Sequence, residues 1–374
     1  MNERSLHIIS FDNPFPPNYG GVIDVYYKVK ALHLLDVKIH LHCFVDDIPS
    51  DYSALETVTE KVYFYKRKNK FWSCFQIIPF SVHSRFSHKL IERLNQDDFP
   101  VFFEGLQSTA VLNHIVKRPG KVFLRLHNNE EKYYKGISKS EKNSLRKWAY
   151  RLESTKYKVY QKSIFQQFDN VFTLSETENF EVNSTAGNGV YIPVFHGNNE
   201  VKRHSEYGRF ALYHGDLRIS DNLKAVDFLI SVFKKLPDYK LIIASAAGRK
   251  FVESKIKNTP SIEFTEIKQE SDLKQLFDEA HLHVLYSFQQ SGTKLKVINA
   301  LFKGRFCLIN SNMVDDKRIK KLCLLAENET EFKKKIELAM QTPFSSDSYR
   351  ESVLKEVLDD SKNAKQLAGY FFGL

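Results

Sequence analysis

The sequence predicts an α/β protein of two tandem domains, each a parallel sheet covered by helices, and three observations carry that prediction. The chain has 374 residues, more than one ordinary core encloses. Short apolar runs rich in Val, Ile and Phe recur through it, continuous rather than alternating, as in strands buried on both faces. Helix-like or loop segments separate those runs, the rhythm of a doubly wound fold. Hydrophobic residues at 42% against 27% charged support a packed interior throughout.

The strand runs of the first half are Leu6 to Phe11, Val37 to Val45, Lys61 to Tyr65, Pro100 to Phe103, Lys121 to Leu126 and Asn170 to Leu174. Val22 to Leu35 has apolar residues at helical spacing and reads as the first crossover helix. Ser138 to Phe168 reads as one long helix or a helical pair. After Ile192 to Asn199 the composition turns polar through Lys202-Arg203-His204-Ser205-Glu206, the expected linker. The second half repeats the pattern: strands at 210–213, 240–245, 262–266, 282–286 and 306–309, helices at 222–236, 270–280 and 295–302. Expected domains are therefore residues 1–200 and 205–357, with a C-terminal helix from about 358 to 374 packing back on the first. No short repeat is present, which excludes solenoids and propellers.

The start of the chain has neither a signal-peptide core nor a small-residue cleavage site, and no stretch reaches the roughly 20 apolar residues of a membrane span. A cytoplasmic protein is expected. Cys43, Cys74, Cys307 and Cys323 lack ligand spacing and read as buried thiols. The net charge of +10 invites anionic partners. Lys132 to Lys162 holds ten Lys or Arg against Glu141 and Glu153, interleaved with aromatic residues, and Lys66-Arg67-Lys68-Asn69-Lys70 precedes an apolar run ending at Phe80. Solvated helix faces and peripheral docking on an anionic membrane surface both account for these segments. Nucleic-acid binding explains the charge but none of the loops at the strand ends.

In doubly wound sheets ligands bind at the carboxyl ends of strands, and with two such domains the cleft between them is the expected site. After the first strand, Gly20 and Gly21 open a helix where backbone N–H groups can meet an anion, or serve only steric needs in a Pro-rich turn. The pattern is not G-x-G-x-x-G, so a nicotinamide dinucleotide is poorly supported. Glu104 and His127 follow the fourth and fifth strands, placed for proton transfer or a bond to a sugar hydroxyl; a loop-capping His and a solvated Glu are the plainer alternatives. The second half opens with Tyr213-His214-Gly215-Asp216-Leu217-Arg218, where Arg218 would reach a phosphate. Gln290-Ser291-Gly292-Thr293-Lys294 then leads a helix containing Asn299, a Gly-containing loop where backbone N–H groups and Lys294 suit a diphosphate.

Taken together, Gly20-Gly21, His127, Ser175-Glu176, Gly215, and Ser291-Gly292-Thr293-Lys294 leading to Asn299-Ala300 and Gly304 resemble the GT-B glycosyltransferases, family 4 with its glycosyl transferases group 1 domain. Leu126-His127-Asn128 and Gly292-Thr293-Lys294-Leu295-Lys296 are further similar to a subgroup common in Bacteroidetes-like bacteria. The resemblance spans nearly the whole chain and implies two Rossmann-like domains facing each other across a cleft. It implies a nucleotide-sugar donor, a glycan or lipid-linked acceptor in surface polysaccharide or lipopolysaccharide synthesis, retention at the anomeric carbon, and no metal or other cofactor. Catalytic roles fall on His127 and Glu104; donor binding falls on Gly20, Gly21, Gly215, Asp216, Arg218, Gln290, Ser291, Gly292, Thr293, Lys294 and Asn299. The chain departs from the family at the two glutamates of the donor loop, replaced here by Ser291 and Asn299. Asparagine can still hydrogen-bond ribose. The missing carboxylates leave a non-catalytic sugar or nucleotide binder as an alternative, and leave a sugar-nucleotide epimerase short of bases. The sequence has no D-x-D motif, so leaving-group charge falls to Lys294, Arg218 and backbone dipoles.

Overall fold

The computed structural model describes residues 4–68, 76–116, 118–141, 143–289, 293–345 and 348–373. The chain divides into two compact units, Met1–Gly197 with Asp360–Leu374, and Asn198–Asp359.

The first unit is built on seven strands: β1 (Ser5–Ser10), β2 (Lys38–Val45), β3 (Lys61–Lys66), β4 (Val101–Glu104), β5 (Val122–Arg125), β6 (Asn170–Thr173) and β7 (Gly189–Tyr191). They pair in the order β3-β2-β1-β4-β5-β6-β7, every pairing parallel. All residues of β1, β4 and β5 are buried, which is why these runs are continuously apolar rather than alternating. The helix Gly20–His33 lays Val22, Val25, Val29 and Leu32 on the sheet, and the chain turns out of it at Asp36, whose φ is 59°. The last helix, Asp360–Phe372, inserts Ala364, Leu367, Ala368 and Phe371 into the same core. The Phe371 ring lies 5.0 Å from both Phe102 and Phe123. Asp360 fixes the start of that helix by accepting from Gly197 N at 2.7 Å.

The basic, aromatic stretch is a helical pair, Glu130–Ser140 and Ser144–Ile164. The first helix already begins at Glu130, ahead of the Ser138 expected from sequence, because the Asn129 side chain caps it by accepting from Lys132 N at 3.0 Å. Asn143 caps the second helix in the same way.

The second unit carries β8 (Phe210–His214), β9 (Leu241–Ser245), β10 (Ile262–Glu266), β11 (Ala280–Val284), β12 (Phe306–Ile309) and β13 (Leu324–Leu325), in the parallel order β10-β9-β8-β11-β12-β13. The helix Ser220–Phe233 joins β8 to β9, and the helix Leu295–Lys303 joins β11 to β12. The latter ends at Gly304, where a Cβ would stand 2.2 Å from His283 Nε2, so a bare backbone lets strand and helix approach. Beyond β12 lie elements absent from the sequence reading: β13 and the helices Glu329–Gln341 and Ser348–Val357. β13 is two residues long, and Glu329–Gln341 buries only Phe332, Ile336 and Ala339.

Both sheets reverse their winding once, between β1 and β4 and between β8 and β11. The crevice beyond the strand ends at such a reversal is where doubly wound sheets bind ligands.

Candidate functional site

At the first reversal, five ionisable side chains meet below the strand ends. Asp24 and Lys28, one turn apart on the helix Gly20–His33, pair at 2.8 Å with both side chains fully buried. Lys28 Nζ also reaches Glu104 Oε1 at 2.8 Å, and Arg125 from the end of β5 donates to Asp24 Oδ1 at 2.9 Å. His127 Nε2 lies 2.8 Å from Glu104 Oε2, and its Nδ1 is 3.9 Å from Asp24 Oδ2. Burial raises the Asp24 carboxyl, but Arg125 and Lys28, with His127, outweigh it and hold Asp24 well below the ordinary carboxylate range. Asp24, Glu104 and His127 lie close enough together to suggest metal ligands. Two carboxylates already face two cations, however, so the cluster has no net negative charge to offer a dication, and these residues do not fit one.

Gly20 is the first residue of its helix, and Gly21 is small for a packing reason: a Cβ there would stand 2.7 Å from Phe11 Cζ. The Phe11 ring meets His127 edge-on at 5.1 Å. Gly105, directly after Glu104, has φ of 72°, which turns the chain sharply off the strand end. Close by, Gln107 Nε2 donates to Glu130 Oε1 at 2.8 Å. Burial pushes the Glu130 carboxyl up to about 7, against the downward pull of that bond and of Arg85.

At the second reversal the chemistry differs. The loop after β8 holds Gly215 and Asp216, and Arg218 there turns back to Asp216, donating from Nε at 2.9 Å and from Nη2 at 2.8 Å. The Arg218 guanidinium is therefore already neutralised, and the expected reach to a phosphate requires that pair to open. Lys294 is the N-cap of the helix Leu295–Lys303, and its backbone N–H donates to Met313 O at 3.0 Å, so that amide is not free as expected. Thr293 Oγ1 is buried without a hydrogen-bond partner. Asn299 accepts from Asn198 Nδ2 at 3.1 Å and lines a cavity of about 650 Å³ together with Glu200, Lys202, Leu273 and Phe277. Gln290, Ser291 and Gly292 lie outside the described residues.

Lys296 reaches the reversal. Its ammonium donates to Asn222 Oδ1 at 2.8 Å and lies 3.4 Å from the Tyr213 hydroxyl, 3.0 Å from where a Cβ on Gly215 would be. Both hydrogen-bond partners are neutral. Burial, with Lys294 nearby, pulls the Lys296 ammonium down to about 8, while Asp221 acts the other way. Asp221 itself is held by the Ser287 hydroxyl at 2.7 Å and by Phe288 N at 3.1 Å, locking the loop after β11 to the helix Ser220–Phe233.

Sequence reasoning thus named two of the five residues of the first cluster, Glu104 and His127, and missed Asp24, Lys28 and Arg125. The signal was a pair of opposite charges four apart on the inner face of an apolar helix. It also named Lys294 and did not consider Lys296, which sits within a helix whose Val297, Ile298, Ala300, Leu301 and Phe302 are all buried.

Residues 208–341 match the family model for glycosyl transferases group 1. An uncharacterized 44.6 kDa protein in the cps region of Klebsiella pneumoniae is 24% identical over 328 residues, covering 81% of this chain and 82% of its own. Among solved structures, sucrose-phosphate synthase from Thermosynechococcus elongatus superposes with a TM-score of 0.69 at 14% identity, over 97% of each chain. Anabaena HepE in complex with UDP and glucose gives 0.64 at 13% identity, over the whole of both chains. The lipopolysaccharide outer core galactosyltransferase WaaB gives 0.62 at 11% identity, over 99% of each. These likenesses establish the GT-B fold.

Proposed function

We propose, from the premise that this chain is a GT-B glycosyltransferase with a glycosyl transferases group 1 domain at residues 208–341, that it moves a hexose from a nucleotide-sugar donor to a glycan or lipid-linked acceptor in bacterial surface polysaccharide synthesis. The observation that carries the reading is Lys296, a largely buried ammonium at the β8/β11 reversal whose hydrogen-bond partners are both neutral. A desolvated cation without a directly bonded carboxylate gains most from an anion, and the donor's diphosphate supplies one. Asn299 lines a cavity together with Leu273 and Phe277 and with the charged Lys202, Lys274 and Asp278, which supports a place there for ribose hydroxyls.

In the reaction the bond from the anomeric carbon to the diphosphate breaks and a bond to an acceptor hydroxyl oxygen forms. Lys296 and the N-terminus of the helix Leu295–Lys303 stabilise the negative charge that grows on the departing diphosphate, without a metal. The family 4 resemblance of the sequence supports retention, with acceptor and leaving group on one face of the sugar, so that the acceptor proton passes to the leaving oxygen. His127, fixed by Glu104, presents an imidazole to the acceptor side, in a cytoplasmic enzyme.

UDP is the first nucleotide to try, since HepE is seen with UDP and glucose and the cps-region and lipopolysaccharide relatives belong to surface-glycan settings. The test is thermal stabilisation by UDP-, GDP- and ADP-sugars, followed by release of free nucleotide with acceptor. A shift with one donor, lost in Lys296→Met, is expected. Absence of any shift overturns the reading, and a shift without turnover favours the non-catalytic binder that the missing glutamates allow.

A further inference from the structure

We propose that the outward face of the helix Ser144–Ile164 docks the first unit on an anionic lipid bilayer, a function separate from sugar transfer and independent of it. The helix sorts its residues into two faces. Ser154, Tyr157 and Ile164 are buried, and Tyr157 stacks on Tyr134 at 5.4 Å, so most aromatic residues of this basic stretch serve the core. The opposite face is apolar where a soluble helix is polar: Leu145 is 79% exposed, Trp148 62% and Val159 65%. Spacings of three and eleven residues put these side chains in one row. A loop adds to the same region. Phe80 N donates to Glu153 Oε2 at 2.8 Å, and three residues before it Ile77 is 91% exposed.

The rim of this row decides what covers it. Flanking the row on one side, Arg151, Lys158 and Lys162 are all exposed. The helix's one acidic residue, Glu153, is turned inward and paired with Lys156 at 2.9 Å, with both side chains largely buried. A second copy of the chain would bring the same basic rim against itself. An anionic bilayer presents the complementary charge, with an apolar layer just beneath for Leu145, Trp148 and Val159. The run Lys66 to Lys70 contributes less than its sequence suggests. Arg67 is folded into the sheet edge, donating to Phe11 O at 3.2 Å and pairing with Asp12 at 2.8 Å, and Lys70 lies outside the described residues.

The test is co-sedimentation of the full chain with phosphatidylcholine vesicles with and without phosphatidylglycerol. Binding only to the anionic vesicles, weakened by salt, is expected. Arg151→Gln with Lys158→Gln and Lys162→Gln should weaken it roughly a hundredfold, at about fivefold per charge. Leu145→Glu with Trp148→Glu should abolish it while the circular-dichroism melt stays unchanged. In a Trp72→Phe background, Trp148 emission should shift to the blue on binding and be quenched by brominated lipid. Wild-type protein that ignores anionic vesicles, variants that bind as tightly as wild type, or a wild-type dimer that Trp148→Glu dissociates would each overturn the proposal.

Discussion

The two sheets reverse their winding in the same way and fill the reversal with opposite chemistry. Beyond β1 and β4, Asp24, Lys28, Glu104, Arg125 and His127 pair with one another, two carboxylates against two cations, with Asp24 and Glu104 fully buried and His127 Nδ1 left without a hydrogen-bond partner among the described residues. Beyond β8 and β11, Lys296 has an amide oxygen and a phenol for partners. A closed charge cluster holds a fold together and positions one imidazole; an open cation waits for an anion. The same topology thus yields one edge with its charges paired and one with a cation bonded only to neutral groups.

The sharpest way to break the comparison is Asp24→Ala, which leaves Arg125 and Lys28 facing one carboxylate. Urea unfolding should show a loss of about 3–5 kcal/mol, the range for a broken buried pair. A loss under 1 kcal/mol would remove the cluster's structural role.

Glu130 tests how dry the first edge is. Its folded-state pKa of about 7 stands above the ordinary 4.5, so the native state binds the extra proton between those values. Its contribution is complete below pH 4.5 and is lost as pH rises through 7, roughly 3 kcal/mol over the interval. Glu130→Gln should flatten the stability–pH profile there; an unchanged slope would mean the carboxyl is solvated.

At the second edge, Lys296→Met should cost donor affinity about 10- to 100-fold by titration calorimetry, the worth of one charge-assisted bond of about 1.5–3 kcal/mol. Its pKa of about 8 lies below the ordinary 10.5, so the unfolded chain binds more protons between them. Wild-type stability should therefore gain from this group as pH rises from 8 to 10.5, and the variant should lack that gain.

Arg218→Ala is expected to do least. Its side chain is 74% exposed and paired within its own loop, so stability should barely change in urea unfolding. Donor affinity should fall less than in Lys296→Met. The reverse ranking would return the phosphate role to Arg218.

The parallel sheets were legible because strands buried on both faces leave unbroken apolar runs, and every run read as a strand is one. The helical pair at 130–164 was legible as helix but not at its start, since a side-chain cap at Asn129 decides that boundary. Strand-end residues such as Glu104, His127 and Gly215 were found by their place after a run. Asp24, Lys28 and Lys296 lie inside helices, where their partners come from strands distant in sequence; Lys28 meets Glu104 across 76 positions. Periodicity places such a residue on a face without revealing what waits there. Elements between Ile309 and Asp360 are short or strongly charged and escaped for that reason, whereas the C-terminal helix was expected.

The first unit's core is completed by Leu367, Ala368 and Phe371, which are synthesised last. The second unit, ending at Asp359, is fully translated before them. A chain truncated before Asp360 therefore lacks a wall of the first unit's core and would fail first at its own beginning. Because Gly197 and Asp360 are hydrogen-bonded neighbours, the whole intervening unit is a natural cassette, removable by joining those two residues through a short linker.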